Sequence, residues 1–403
     1  MCASAARWTR SLLIFSIFCA EVSAQEDGSI VCWGRNDWGQ CDVPSPNSDF
    51  FAIAEGGFAH SAGLRSDGSI ACWGSNASGQ CTVPEPNEGF ISVASGAHHT
   101  LGLREDGSIL CWGWSECGQC EVPSPNQDFL SMAGGYGHSV ALKSDSSVVC
   151  WGDNGYGQCD VPAPNEDFIA IDAGDQFCVG LKADGSVVCW GYNGYGQCVV
   201  PSPNDDFIGV SAGRDHCVGL KSDGSIVCWG RNDWAQCDVP DPNEGFVAVS
   251  GGGFHSIALR SDSSVVAWGR NDYGQSLEPS PNQDFSQVAC GYFHCLALHT
   301  NLTGIGGSQP DPTMVITSLS PNPSGASIFM TVQAPSCGSV WMEIFDISGR
   351  LVYLSDFGSL DQGRHSLSWD GADRSGSRVP AGVYLVRLRS DLDSSVSSLF
   401  VLI

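Results

Sequence analysis

The chain has 403 residues, 42% of them hydrophobic and 15% charged, and carries a net charge of −26 from 18 basic and 44 acidic side chains. That length and apolar content support one large or two modest globular domains and exclude a peptide-sized scaffold. The acidic balance argues against nucleic acid and anionic membrane as partners.

In chain order, residues 1–24 read as a secretory signal peptide: Arg7 and Arg10 precede an apolar stretch from Leu12 to Phe18, and Val22, Ser23 and Ala24 supply small residues for cleavage. Cleavage after Ala24 removes two arginines and Glu21 and leaves −27. No later segment approaches about 18 unbroken apolar residues, so no membrane span is expected in the mature chain, which is predicted to be secreted or held at the cell surface.

Residues 25–300 repeat one unit. Trp-Gly recurs at Trp33, Trp73, Trp112, Trp151, Trp190, Trp229 and Trp268, at intervals of 40 and then five times 39. Each copy holds three β-rich runs and a short fourth, QCxVPxPN, separated by turn signals, which predicts a four-stranded meander. Packed radially, such units bury the faces that one alone leaves bare, so the expectation is an all-β, seven-bladed propeller. The repeat region opens with the third run of a unit and ends after a second run. SIVCWG from the N-terminus should therefore pair with HCLALHT and close the ring.

The motif W-G-x-N-x-x-G-Q, with G-x-x-H-S-x-A-L around Gly135 to Leu142, resembles the repeats of the regulator of chromosome condensation family over residues 27–299. The short repeat is similar to the bacterial members, including the propeller-type β-lactamase inhibitor proteins. The resemblance implies a propeller, and its eukaryotic members imply nucleotide exchange on small GTPases. An export signal and many cysteines point away from that activity.

Six cysteine pairs share one spacing: Cys32/Cys41, Cys72/Cys81, Cys111/Cys120, Cys150/Cys159, Cys189/Cys198 and Cys228/Cys237. The seventh copy has Ala267 and Ser276, losing both members together, as a covalent bond predicts. Six cross-strand disulfides formed in an oxidising compartment are expected. Cys117, Cys178, Cys217, Cys290, Cys295 and Cys337 have no assigned partner. For Cys178 and Cys217, in adjacent copies, an inter-blade bond and free buried thiols are both open.

His60, His99, His138, His216, His255 and His294 form a column, with Phe177 as its seventh member. They read as structural imidazoles bonded to backbone, and no metal or cofactor is expected. Asp67-Gly68, Asp106-Gly107, Asp184-Gly185 and Asp223-Gly224 read as hairpin turns. Arg65, Arg104, Lys143, Lys182, Lys221 and Arg260 before those turns read as solvated charges. No catalytic order of residues stands out, so no catalytic residue is assigned.

Positions that hardly vary, Trp-Gly, the Gln after the turn and the Pro-Asn link, should build the fold. Positions that vary are free to bind. They fall in the link after the Gly57 to Gly291 column and in the turn after the third strand, and alternation of connections in a meander places both on one end of the ring. The candidate binding residues are Phe58, Tyr136, Arg214, Phe254, Tyr292 and Phe293 from the first set and Arg35, Trp114, Tyr192, Arg231 and Arg270 from the second. In the turn, Trp38, Tyr156, Tyr195, Trp234 and Tyr273 either join that surface or pack between neighbouring turns.

Residues 301–313 read as a polar linker and 314–403 as a small β-sandwich. The ordered runs SPNP, IFDISGRLV and SLSWDGADRSGSRVPAGVYLVRL resemble the C-terminal sorting domains of type IX secretion and the immunoglobulin-like domain of the flagellar hook-capping protein. The resemblance implies a bacterial secretion machinery as a partner. The expected function is an exported, non-enzymatic protein that binds a protein or glycan. The alternative is a secreted hydrolase or lyase.

Overall fold

The computed structural model describes residues 28–299 apart from 55 and, beyond them, 315–320, 328–334, 338–346, 351–361, 363–369, 372, 383–390 and 397–402. The expected signal peptide, the linker and Cys337 lie outside the described residues. Two compact units emerge, one within 26–302 and one within 303–403.

The first unit is a succession of seven antiparallel three-stranded sheets. Six are contiguous in sequence, as in Phe168–Ala173, Phe177–Lys182 and Val187–Gly191. The closing sheet takes Phe285–Cys290 and His294–His299 from the end of the repeats and Ser29–Gly34 from their beginning, in register Ser29 to His299 through Gly34 to His294. Seven backbone hydrogen bonds join neighbouring sheets at their first connections. They run from Phe58 N–H to Ala97 O, through Ala97, Tyr136, Asp175, Arg214 and Gly253, to Tyr292 N–H donating to Gly57 O.

The middle strand of each sheet is buried along five of its six residues. Both of its faces are covered, so small and apolar residues fill it. Apolar clusters lie between successive sheets, each combining the middle-strand leucine or valine with the next sheet's Phe and Trp, as in Val179, Leu181, Phe207 and Trp229. At the seam, Leu296 and Leu298 meet Ile30, Phe50 and Trp73.

The invariant residues tie one sheet to the next. The backbone carbonyl of Gln40 accepts from Trp73 Nε1 at 2.8 Å and from Ser61 Oγ at 2.9 Å. The same pair of bonds recurs around the ring, and at the seam Trp33 Nε1 and Cys295 Sγ donate to Gln275 O. Ser61, Thr100, Ser139, Cys178, Ser256 and Cys295 also meet the histidine column, whose Nε2 lies 2.8–3.2 Å away on the neighbouring sheet. The hydroxyl proton goes to the Gln carbonyl, so the imidazole must donate through Nε2–H. The expectation that these rings bond backbone is therefore corrected: they bond side chains across the blade interface. Burial drives His60, His99, His216 and His294 down to about 3 and lowers His138, which keeps these five rings neutral. Their packing explains the preceding glycine, because a Cβ on Gly96 would stand 2.1 Å from His99 Cε1.

The fourth strand is also corrected. QCxVPxPN is an irregular link with a cis peptide before its second proline. Two prolines remove ladder donors, and one asparagine side chain substitutes for a strand. Asn126 Oδ1 accepts from Ile109 N–H and its Nδ2 donates to Ile109 O, both at 2.8 Å, and every link repeats the pattern.

The hairpin aspartates cap their own turns: Asp106 Oδ1 accepts from Ser108 N–H at 2.9 Å and from its Oγ at 2.6 Å. The basic residues before them are not simply solvated. Lys182 Nζ lies 4.4 Å from the centre of the Phe168 ring and donates to the carbonyls of Pro164 and Glu166, and Arg65 does the same over Phe50. The cation shields the ring at the sheet edge while its donors fasten the proline link.

Three predicted pairs are closed as disulfides: Cys111–Cys120, Cys189–Cys198 and Cys228–Cys237. The other three pairs are not closed in this structure. Two of them have adjacent sulfurs, Cys32 and Cys41 at 2.7 Å and Cys150 and Cys159 at 3.2 Å, and their thiols donate to backbone carbonyls such as Gln40 O and Gln158 O. Cys178 and Cys217 are buried free thiols, each opposite an alanine and bonded to Gln158 O or Gln197 O. That settles the choice left open between an inter-blade bond and free thiols.

Among the described residues the second unit has two sheets, one of three strands (Val315–Ser320, Ile328–Ala334, Gly363–Trp369) and one of four (Leu351–Leu360, Gly338–Asp346, Val383–Ser390, Ser397–Leu402). Val340, Met342 and Ile344 alternate inward, and Trp369 is buried with its Nε1 donating to Ala372 O.

Candidate functional site

Two connections meet at one end of the ring. The third strand ends in glycine at φ near +100°, as at Gly34 (φ +101°), where a Cβ would stand 2.7 Å from Phe293 O. The chain reverses there, and the next N–H donates to the first connection of the same sheet: Arg35 to Phe293 O, Trp114 to His98 O, Tyr192 to Gln176 O, Arg231 to Asp215 O and Arg270 to Phe254 O. The two variable sets are thus stapled together by backbone.

Their side chains form one connected layer. Phe58 lies 4.6 Å from Tyr292 and 5.5 Å from His98, and His98 contacts Tyr136 and Trp114 at 5.8 and 6.2 Å between ring centres. Tyr292 and Phe293 are 4.7 Å apart, and both contact Phe254. Arg214 and Arg231 lie over Phe254 at 5.1 and 5.3 Å, Arg35 lies over Tyr273 at 5.1 Å, and Arg270 over Trp234 at 4.4 Å. Arg231 also covers Tyr195, which contacts Tyr192, which contacts Tyr156. All eleven candidate residues belong to this network.

Exposure divides them. Tyr136 is exposed, Phe58, Trp114, Tyr192, Tyr292, Phe293 and the four arginines are half-buried, and Phe254 is buried at 7%. Phe254 is therefore corrected from a contact residue to the support beneath Phe293 and three guanidinium groups. Trp38, Tyr156, Tyr195, Trp234 and Tyr273 are 41–58% exposed, and of these Tyr156, Tyr195, Trp234 and Tyr273 also lean on a neighbouring blade.

The cations are held in place. Arg35, Arg231 and Arg270 each pair with the aspartate two residues on, at 2.7 Å. Arg214 bridges Asp175 at 3.3 Å and Asp215 at 3.2 Å, and Asp215 also takes Arg231. Burial raises Asp175 to about 7 despite Arg214, with Asp215 adding to the rise. Asp175, Asp215, His98, Tyr195 and Tyr273 belong to the site although they are not among the eleven candidates. Their variability from copy to copy was the available signal. The layer offers flat rings, guanidinium groups held over them and a carboxylate poised near neutrality. Four of the ten basic residues of 25–300 gather here in an otherwise acidic domain.

One further group among the described residues offers three metal-ligand atoms: His255, Cys290 and Cys295, all buried in and beside the closing sheet.

The family model described as the regulator of chromosome condensation (RCC1) repeat matches residues 53–80, 90–119, 129–158, 168–197, 207–233 and 246–275, and that of the FlgD Ig-like domain matches 324–394. The closing sheet is split between the two ends of the repeat region and has no contiguous match. Among solved structures, Prp20p from Saccharomyces cerevisiae, reported with its binding to Gsp1p and histones, is 17% identical at a TM-score of 0.59, over 70% of this chain and 93% of its own. Human WBSCR16 is 16% identical at 0.53, over 68% and 100%. The ectodomain of the receptor kinase CR4 from Physcomitrella patens is 24% identical at 0.51, over 59% and 67%. At these identities the likeness establishes the fold. No curated protein sequence matches the chain.

Proposed function

Taking this chain as a protein of regulator of chromosome condensation repeats joined to a FlgD Ig-like domain, we propose that it is an exported, non-enzymatic binding protein whose aromatic and arginine face captures a protein or glycan ligand. The observation that carries the reading is the convergence of the variable residues of the repeats into one connected layer, while the invariant residues are consumed by inter-blade bonds. Aromatic rings and arginines locked by their own aspartates lose little freedom on binding, which favours affinity. Binding by Prp20p, a protein of the same fold, supports a protein partner in particular.

Export is supported by the N-terminal segment and by three closed disulfides, which need an oxidising compartment. The C-terminal domain serves as the sorting or attachment module in this reading. The test is affinity capture from the producing organism's surroundings with the mature chain, compared with Tyr292→Ala/Phe293→Ala/Arg35→Ala and with Lys143→Ala/Lys182→Ala on the opposite edge. Loss of the captured species in the first variant alone supports the face as the site. Equal capture by all three sinks it. Cell fractionation with and without residues 314–403 tests sorting.

A further inference from the structure

The first two strands of the closing sheet set Cys290 directly opposite Cys295. Opposed residues on antiparallel strands point to the same face with Cα atoms about 4.5–5.5 Å apart, inside the span a disulfide bridges. The two sulfurs and a His255 ring nitrogen lie within 4.8 Å of one another.

The repeat supplies the comparison. The same rung elsewhere pairs Ser95 with Thr100, Gly134 with Ser139, Ala173 with Cys178, Ala212 with Cys217 and Gly251 with Ser256. Cys295 fills the role of those hydroxyls, donating to Gln275 O at 3.3 Å and meeting His255 Nε2 at 3.0 Å. Cys290 Sγ donates instead to Ser250 O on the neighbouring sheet at 3.5 Å, and its column otherwise holds Ser, Gly or Ala. The neighbouring sheet, moreover, is the one with Ala267 and Ser276 in place of a cysteine pair, and Ala267 packs on the cluster that contains both thiols.

We propose that Cys290 and Cys295 form a cross-strand disulfide, a clasp in the closing sheet beside the one sheet that lacks the repeat's own cysteine pair. With a small-molecule disulfide as oxidant, the Cys290 thiolate attacks one oxidant sulfur and expels a thiolate. The Cys295 thiolate then attacks the Cys290 sulfur of the mixed disulfide and expels the second. Two electrons pass to the oxidant, and the two cysteine protons end on its two thiols. The reaction belongs to the hairpin before it is buried, which its short, local loop permits.

The test is refolding of the reduced mature full chain in a glutathione redox buffer containing micromolar zinc, so that its outcome does not depend on export or on a ligand. The product is denatured without reductant, alkylated with iodoacetamide and mapped by mass spectrometry. Cys178 and Cys217 are the internal control and should be alkylated. Cys290 and Cys295 should be unmodified, in a peptide two hydrogen masses below its reduced form. In Cys290→Ala, which recreates the Ala173–Cys178 rung, Cys295 should become alkylated. Alkylation of both Cys290 and Cys295 in the wild type overturns the proposal, as does a Cys295 that stays blocked in the variant. One zinc per chain, lost in Cys290→Ala, also overturns it and makes the trio a metal site.

Discussion

Replacing His99 with phenylalanine tests the inter-blade bonding directly, because Phe177 already occupies the same position in another copy, where it is fully buried. In the folded ring burial keeps His99 neutral down to about pH 3, whereas the unfolded chain takes up its proton below 6.5. This contribution is therefore intact above pH 6.5 and is lost as the pH falls below it, at about 1.36 kcal/mol per unit. Between pH 7.5 and 5 the wild type should lose about 2 kcal/mol through this one residue. His99→Phe should not incur that loss. At pH 7.5 the variant gives up the bond to Ser139 Oγ, about 1 kcal/mol, while Ser139 still donates to Gln119 O. Urea unfolding of both proteins, disulfides intact and followed by tryptophan fluorescence, measures the difference at each pH. Asp172 and Asp175, raised by burial, titrate in both chains and cancel. A stability gap that is the same at pH 7.5 and pH 5 would refute the neutral, Nε2-donating imidazole.

Asn126→Ala removes both bonds to Ile109 and should destabilise the propeller by about 1–3 kcal/mol, read as a lower urea midpoint with little change in far-UV spectrum. An unchanged midpoint would mean the link holds without the asparagine. Gly96→Ala forces a Cβ into the His99 ring and against Gly135 O at 2.7 Å, so it should cost about 3 kcal/mol or more, and wild-type stability would contradict the packing. Arg214→Ala takes away the cation that opposes the rise of Asp175, whose carboxyl should then titrate above about 7 by NMR. A fall in its pKa would show that Arg214 is not its partner.

Much of the ring was legible before any coordinates. The interval of 39, the Asp-Gly turns and the split unit at the two ends already demand strands, hairpins and a closing sheet shared by both ends. Variation between copies likewise separated scaffold from candidate site, since a position used for every interface cannot drift. The links were misread as strands because their apolar residues and cysteines mimic a strand, while the deciding partner is an asparagine side chain. The basic residues before the turns were misread because their phenylalanines sit earlier in the chain, at the edge of the same sheet.

The amino-acid sequence by itself determined the repeat, the closed topology and which end of the ring collects variable residues, because each follows from period and alternation along the chain. Only the tertiary structure decided that the histidines bond across blades, that Phe254 lies beneath the face and not on it, and that Cys290 meets Cys295 on a rung no other sheet builds from two sulfurs. Those facts depend on distances between groups on neighbouring strands and sheets, and a one-dimensional pattern does not specify which side chain fills a gap or which donor reaches a carbonyl.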